Sequence, residues 1–218
     1  MIKGIIFDLG STLMYFDGKW SDVDNLANAN LIAFLKAQGI AVAENFQEQF
    51  LLDRRRHWQG AEDHGTEART EEALRDTLFQ MGVFSTDGLL PRAIEIYFAE
   101  FEKRWRAYPD AIETLQTLRA RGMRVGLISN ADDVGTVHRL CANLGFTPFL
   151  DPLISSAAEP RWRKPDPRIF HLVADAWQLA PSEIAMVGDA SRYDVLGAHR
   201  AGMRGILIDR GDNAPWQK

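Results

Sequence analysis

Only one cysteine, Cys141, occurs in the chain, so an intrachain disulfide framework is excluded and a reducing compartment is expected. That residue lies in a helical pattern, where a buried, unreactive packing role is the expectation. Basic residues are outnumbered by acidic ones, 25 to 30, for a formal net charge of -5. No global positive field therefore invites nucleic acid or an anionic membrane surface, and neither is expected as a partner. No apolar stretch reaches membrane length. The start, Met1-Ile2-Lys3-Gly4, runs without a cleavage pattern into a short apolar segment ending at Asp8, which makes the cytoplasm the default location. Internal repeats and low-complexity tracts are absent as well.

The chain does have the makings of a sizeable core. It holds 218 residues, of which 46% are hydrophobic and 25% charged, an ordinary composition that argues against long disorder. A strand is expected over Lys3–Phe7. From about Met14 to Trp105 helical periodicity dominates and no convincing strand is found. The first helix has Ser21 as its expected N-cap, apolar Val23, Leu26, Ala27, Leu31, Phe34 and Leu35 on one face, and Gly39 as terminator. Further helices are expected over 44–58, 66–81 and 90–105. After Pro109, helices and strands take turns: a helix through Ala120, a strand over Met123–Ile128 and a helix over Asp132–Leu144. After Leu150–Ser155 come a loop and a helix over Pro167–Trp177. The strand Ile184–Val187, a helix over Arg192–Ala201 and the strand Gly205–Ile208 close the series, leaving 209–218 as a frayed surface end. Such alternation implies an α/β fold, a doubly wound, Rossmann-like parallel sheet, here with an inserted all-helical domain. The expected division is 1–14 with 106–218 as the core and 15–105 as the insertion.

Four segments follow or close apolar strand-like runs with a polar tip. In order they supply Asp8, Ser129 with Asn130, Lys164, and Asp189 with Asp194. Parallel sheets gather ligands beyond their carboxyl ends, so these groups would converge in one crevice. Any one of them alone reads as a turn or cap residue. Three carboxylates beside a phosphate repel one another and need a cation. Mg2+, which favours oxygen ligands and binds through one or two carboxylates plus substrate phosphate, suits the set. Lys164 precedes Pro165, which biases it toward an extended backbone, while Asp166 and Pro167 suit the N-cap and first position of the next helix.

The segments Phe7-Asp8-Leu9-Gly10-Ser11-Thr12-Leu13, Ile128-Ser129-Asn130, Lys164-Pro165-Asp166-Pro167 and Gly188-Asp189-Ala190-Ser191-Arg192-Tyr193-Asp194 resemble, in order and spacing, the four motifs of the haloacid dehalogenase superfamily. The helical insertion after the first motif resembles that superfamily's cap. The resemblance implies a hydrolase in which Asp8 attacks phosphorus and forms an aspartyl phosphate that water later cleaves. Lys164 would offset charge on Asp8 and the phosphoryl group. Ser129 and Asn130 would donate hydrogen bonds to phosphate oxygens. Thr12 would bind substrate within the turn of residues 9–12, whose main-chain amides approach the phosphate. It further implies Mg2+ ligation by Asp8, the carbonyl of Gly10 and Asp189, with Asp194 a ligand through water or a holder of the site.

One departure matters. The superfamily's phosphatases carry a second Asp two residues after the nucleophile as general acid and base, and here that position is Gly10. Its loss costs on the order of 10^2 to 10^4 in rate. Ser11 is too weakly acidic to replace it, and His57, His64 and Asp17 in the insertion are the other candidates. The clusters Arg54-Arg55-Arg56-His57-Trp58 and Lys103-Arg104-Trp105-Arg106 could grip an anionic substrate or simply form solvated helix faces. The leading expectation is an Mg2+-dependent phosphomonoester hydrolase acting on a small phosphorylated metabolite. Its rivals are hydrolytic 2-haloacid dehalogenation, disfavoured by the extra acidic groups and by the lack of an aromatic residue at position 10, and a noncatalytic phosphate-sensing or partner-binding role. Phosphomutase activity ranks lower, since it demands well-placed acid and base. Neither the physiological substrate nor an oligomeric state is written in the residues.

Overall fold

A computed structural model of the protein describes residues 1–84 and 88–211. Most of the stretch read from sequence as a frayed end, 212–218, lies outside the described residues. The chain divides into two compact units, Met1–Phe16 with Trp105–Lys218, and Asp17–Arg104.

In the first unit, β1 (Gly4–Phe7) and β2 (Met14–Phe16) precede the second unit's helices α1 (Trp20–Ala37), α2 (Phe46–His64), α3 (Thr70–Gln80) and α4 (Leu89–Glu102). The first unit resumes with β3 (Trp105–Ala107), α5 (Ala111–Ala120), β4 (Arg124–Ser129), α6 (Val134–Asn143) and β5 (Leu153–Ser155). It closes with α7 (Pro167–Trp177), β6 (Ile184–Gly188), α8 (Leu196–Arg200) and β7 (Arg204–Leu207).

Five strands form a parallel sheet in the order β5-β4-β1-β6-β7, with Phe7 level with Leu127 on one side and Val187 on the other. The α/β, doubly wound expectation therefore holds. Because successive strand residues point to opposite faces, Ile5 and Phe7 join Val125 and Leu127 against α5 and α6. Ile6, Ile128 and Met186 join Ile169, Phe170 and Trp177 of α7 on the other face. Gly4 and Gly126 are required there, since a Cβ on either would lie 2.4 or 2.9 Å from the Trp177 ring. Cys141 is fully buried in the first of these layers, and burial pushes its thiol up to about 12.

Three expectations are corrected. Residues 14–16 and 105–107 form a two-stranded antiparallel ribbon, Phe16 opposite Trp105, rather than continuing helix or loop. Three-residue strands are too short to generate a visible alternation. Ser21 lies inside α1, whose N-cap is Lys19 with no side-chain cap bond. The helix expected over 192–201 opens with a π-helical turn, Ser191–Val195, before α8. Asp166 does cap α7, its Oδ1 accepting from Arg168 N at 2.9 Å, with Pro167 first in the helix.

In the second unit, Val23, Ala27, Leu31 and Leu35 of α1 are buried, as are Ile94, Tyr97, Phe98 and Phe101 of α4. Arg54, singled out as a possible anion grip, lies over the rings of Phe50 and Tyr97 and donates to Tyr97 Oη. Arg56 pairs with the buried carboxylate of Asp53 at 2.9 Å. Arg54 thus joins α2 to α4, whereas the Arg56 pair lies within α2. No helix among the described residues is long and apolar enough to cross a membrane.

Candidate active site

Asp8 follows the last residue of β1, the middle strand of the sheet, and its main-chain N–H donates to Val187 O of β6 at 2.9 Å. Both neighbours end alongside it, β4 at Ser129 and β6 at Gly188, so strand register alone delivers Asp8, Ser129 and Asp189 to the same edge. The loop before α7 brings Lys164, and the π-helical turn brings Asp194.

The centre of the arrangement is one buried ammonium between two carboxylates. Lys164 Nζ donates to Asp8 Oδ1 and to Asp194 Oδ1, each at 2.6 Å, and the three side chains are only 2%, 13% and 1% exposed. Oxygens of Asp8, Asp189 and Asp194 come within 4.8 Å of one another. With all groups ionised the cluster has three negative charges and one positive. Burial, resisted by Lys164 but reinforced by Asp194 and Asp189, pushes the Asp8 carboxyl up to about 7. Burial alone would discharge Lys164, but Asp194 and Asp8 outweigh it and hold the ammonium above its ordinary range.

Asp194 has both oxygens engaged, Oδ2 accepting from Ala190 N at 3.0 Å while Oδ1 faces Lys164. Gly188 makes room for this, because a Cβ there would stand 2.2 Å from Asp194 Oδ2. Lys164 engages Oδ1 of Asp8, and Asp189 is half-buried at the same edge.

Asn130, expected as a phosphate donor, has a place in the fold as well. Its Nδ2 donates to Lys164 O and its Oδ1 accepts from Lys164 N, both at 2.9 Å, so one amide clamps the lysine backbone from 34 residues away. Ser129 is 7% exposed at the end of β4. Thr12 is fully buried, and its Oγ1 has no hydrogen-bond partner among the described residues. Gly10 lies against an indole: a Cβ there would be 3.5 Å from Trp105 Cη2, an ordinary contact. Of the other acid/base candidates, His57 Nε2 is 2.8 Å from Asp76 Oδ2 and His64 is exposed at the end of α2, both within the helical unit. Ser156, not anticipated from sequence, accepts from Ala131 N at 3.0 Å and steadies the loop after β4. An isolated serine in an unpatterned loop offers no signal by which to find it.

Residues 2–202 match the family model described as haloacid dehalogenase-like hydrolase. The chain belongs to the haloacid dehalogenase-like hydrolase family. It is 37% identical over 141 residues to a phosphoserine phosphatase of Thermus thermophilus, a match covering 63% of this chain and 55% of that protein. It is 33% identical over 146 residues to (S)-2-haloacid dehalogenase 4A of Burkholderia cepacia, covering 67% and 60%. Each match thus spans less than two thirds of the relative's length. The structure of a 2-haloacid dehalogenase from Pseudomonas syringae pv. Tomato DC3000 superposes over 98% of this chain and 89% of that one with a TM-score of 0.72 and 24% identity, a likeness of fold. Haloacid dehalogenase-like hydrolases of both kinds, phosphatase and dehalogenase, are therefore among its relatives.

Proposed function

We propose that the protein is an Mg2+-dependent phosphomonoester hydrolase acting on a small phosphorylated metabolite through an aspartyl-phosphate intermediate. The observation that carries this reading is the charge excess at the sheet edge: three carboxylates within 4.8 Å around a single ammonium. A hard divalent cation matches that donor set, all of it oxygen, and Asp8, Asp189 and the Gly10 carbonyl are the groups proposed to hold it. Once bound it would neutralise charge on the carboxylates and on the transferring phosphoryl group. Asp194 is proposed as the fixed counter-ion that keeps Lys164 in place.

Lys164 engages Asp8 Oδ1, which leaves Oδ2 as the attacking oxygen. The Oδ2–P bond forms as the ester P–O bond breaks; water then attacks phosphorus, releasing inorganic phosphate and restoring Asp8. Lys164 supplies placed positive charge to the developing anion in both steps. With Gly10 in place of a proton carrier, substrates whose leaving groups need little protonation, such as anomeric, acyl or aryl phosphates, turn over fastest. Residues 17–104 are proposed as the cap that selects the substrate and excludes bulk water. Cytoplasmic location is part of the same proposal.

The similarity to a 2-haloacid dehalogenase supports a second reading, in which Asp8 attacks carbon and displaces halide. Without a cation, the surplus carboxylates would repel an anionic haloacid, so this reading ranks below the first. Phosphate release from an aryl phosphate and halide release from 2-chloropropionate, each with Mg2+ or with EDTA, separate the two. The expected outcome is Mg2+-dependent phosphate release abolished by Asp8→Asn. Halide release indifferent to EDTA would transfer the assignment to dehalogenation, and neither product from a broad panel would favour a sensor.

A further inference from the structure

The turn after Asp8 must keep its shape if Gly10 and the amides around it are to face the reacting group. Local bonds shape it: Leu13 N and Met14 N donate to Leu9 O at 2.9 and 3.1 Å, and Ser11 N donates to Met14 O at 2.7 Å. Ser11 is held at φ 55°, a left-handed conformation uncommon for a residue with a side chain, so an outside restraint is needed to fix the turn.

We propose that Arg210 is a positioning residue for this turn, tying the far end of the chain to the loop that follows the nucleophile. Arg210 Nη2 donates to Thr12 O at 2.9 Å across 198 residues of sequence. Its Nη1 donates to Asp110 Oδ1 and Oδ2, each at 2.9 Å, and its guanidinium lies 4.2 Å from the centre of the Tyr108 ring. Tyr108 N in turn donates to Leu13 O at 3.0 Å, so the ring beneath the guanidinium belongs to a residue that grips the same turn. The Arg210 side chain is 18% exposed whereas Asp110 is 56% exposed. An ion pair to so open a carboxylate adds little stability by itself, and the arrangement makes physical sense as a means of aiming the third contact, to Thr12. A planar fork can stack on a ring, face a carboxylate and reach a carbonyl at once; an ammonium cannot. Arg210 also lies beyond residues 2–202, the stretch matched by the family model.

The kinetic part of the test rests on the proposed phosphatase reading, and the structural part does not. Hydrogen exchange of the peptide spanning residues 7–15 is compared in wild type, Arg210→Ala, Arg210→Lys and Asp110→Asn, alongside Tm and turnover of an aryl phosphate with Mg2+. Expected are faster exchange confined to 7–15 in both Arg210 variants, a fall in kcat of about tenfold with KM within twofold, no rescue by lysine, and a smaller effect for Asp110→Asn. Unchanged exchange at 7–15 would overturn the proposal. So would exchange that rises across the whole sheet in step with a lowered Tm, or faster local exchange with kcat untouched. If wild type releases no phosphate, the phosphatase reading fails on its own, and localised exchange at 7–15 still decides whether Arg210 holds the turn.

Discussion

Asp8 is buried among like charges, and the resulting load has a sign that can be measured. A carboxyl whose folded value stands at about 7, against 3.8 when exposed, binds its proton more tightly in the folded state. Its ionisation therefore costs folding stability, progressively from about pH 4 to pH 7 and in full above that. Asp8→Asn in the metal-free protein removes the cost, with a gain on the order of 1 to 3 kcal/mol at pH 8 that vanishes near pH 4. Urea unfolding in EDTA at the two pH values checks this; a variant no more stable than wild type at pH 8 would contradict the charge excess. Gly10 offers a second test. The site for a Cβ is open to ordinary contact with Trp105, so Gly10→Asp should be tolerated by the turn and would supply the proton carrier that the proposed phosphatase lacks. Expected is a gain of roughly 10- to 100-fold on alkyl phosphates and little on aryl phosphates. The slope of log kcat/KM against leaving-group pKa should flatten; equal gains across the series would remove protonation as the limiting factor.

Among the elements, the sheet is where packing leaves least freedom. Gly126 of β4 lies beneath the Trp177 ring and 3.0 Å from Pro152 O, measured from where a Cβ would stand. Gly126→Ala should cost about 1 to 3 kcal/mol, read as a lowered urea midpoint, because the ring and backbone on either side are themselves fixed. Trp177 Nε1 is held by Asp151 O at 2.7 Å and cannot simply swing away. This strand, like β1 and β6, was legible from its run of buried apolar residues, and α7 from Asp166-Pro167 at its start. The β2–β3 ribbon was not, since each strand contributes three residues and only their pairing gives them meaning. The same division applies to the site. Asp8, Lys164, Asp189 and Asp194 could be found because residue type and order after strand-like runs carry their chemistry. Asn130 was singled out for its donor amide, which suits a phosphate oxygen as well as a backbone, and only the fold reveals that it also holds Lys164 N and O. Arg210 and Ser156 carried no pattern at all, because their partners lie in loops whose proximity is decided by topology.

For the whole molecule, the proposed ion and the Asp8 proton would compete for the same oxygens, and the competition should appear in global stability. A ligand that binds only the folded state stabilises it by RT ln(1 + [L]/Kd), about 2.7 kcal/mol at one hundred times Kd. For a chain of this size that corresponds to a rise in Tm of roughly 5 to 10 °C. Asp8, with its carboxyl at about 7, holds a proton at pH 6 that a cation must displace and has mostly lost it by pH 8. The Mg2+-induced rise in Tm at that concentration should therefore be about half as large at pH 6 as at pH 8, with roughly three quarters of a proton released per ion near pH 6.5. Asp189→Asn should abolish the rise at both pH values, since it removes one of the carboxylates proposed to hold the ion, whereas Asp8→Asn should weaken the effect and flatten its pH dependence. Calorimetric titration in buffers of different ionisation enthalpy counts the protons directly. Equal stabilisation at pH 6 and pH 8, or a rise that survives Asp189→Asn, would mean that the ion binds somewhere other than among Asp8, Asp189 and Asp194.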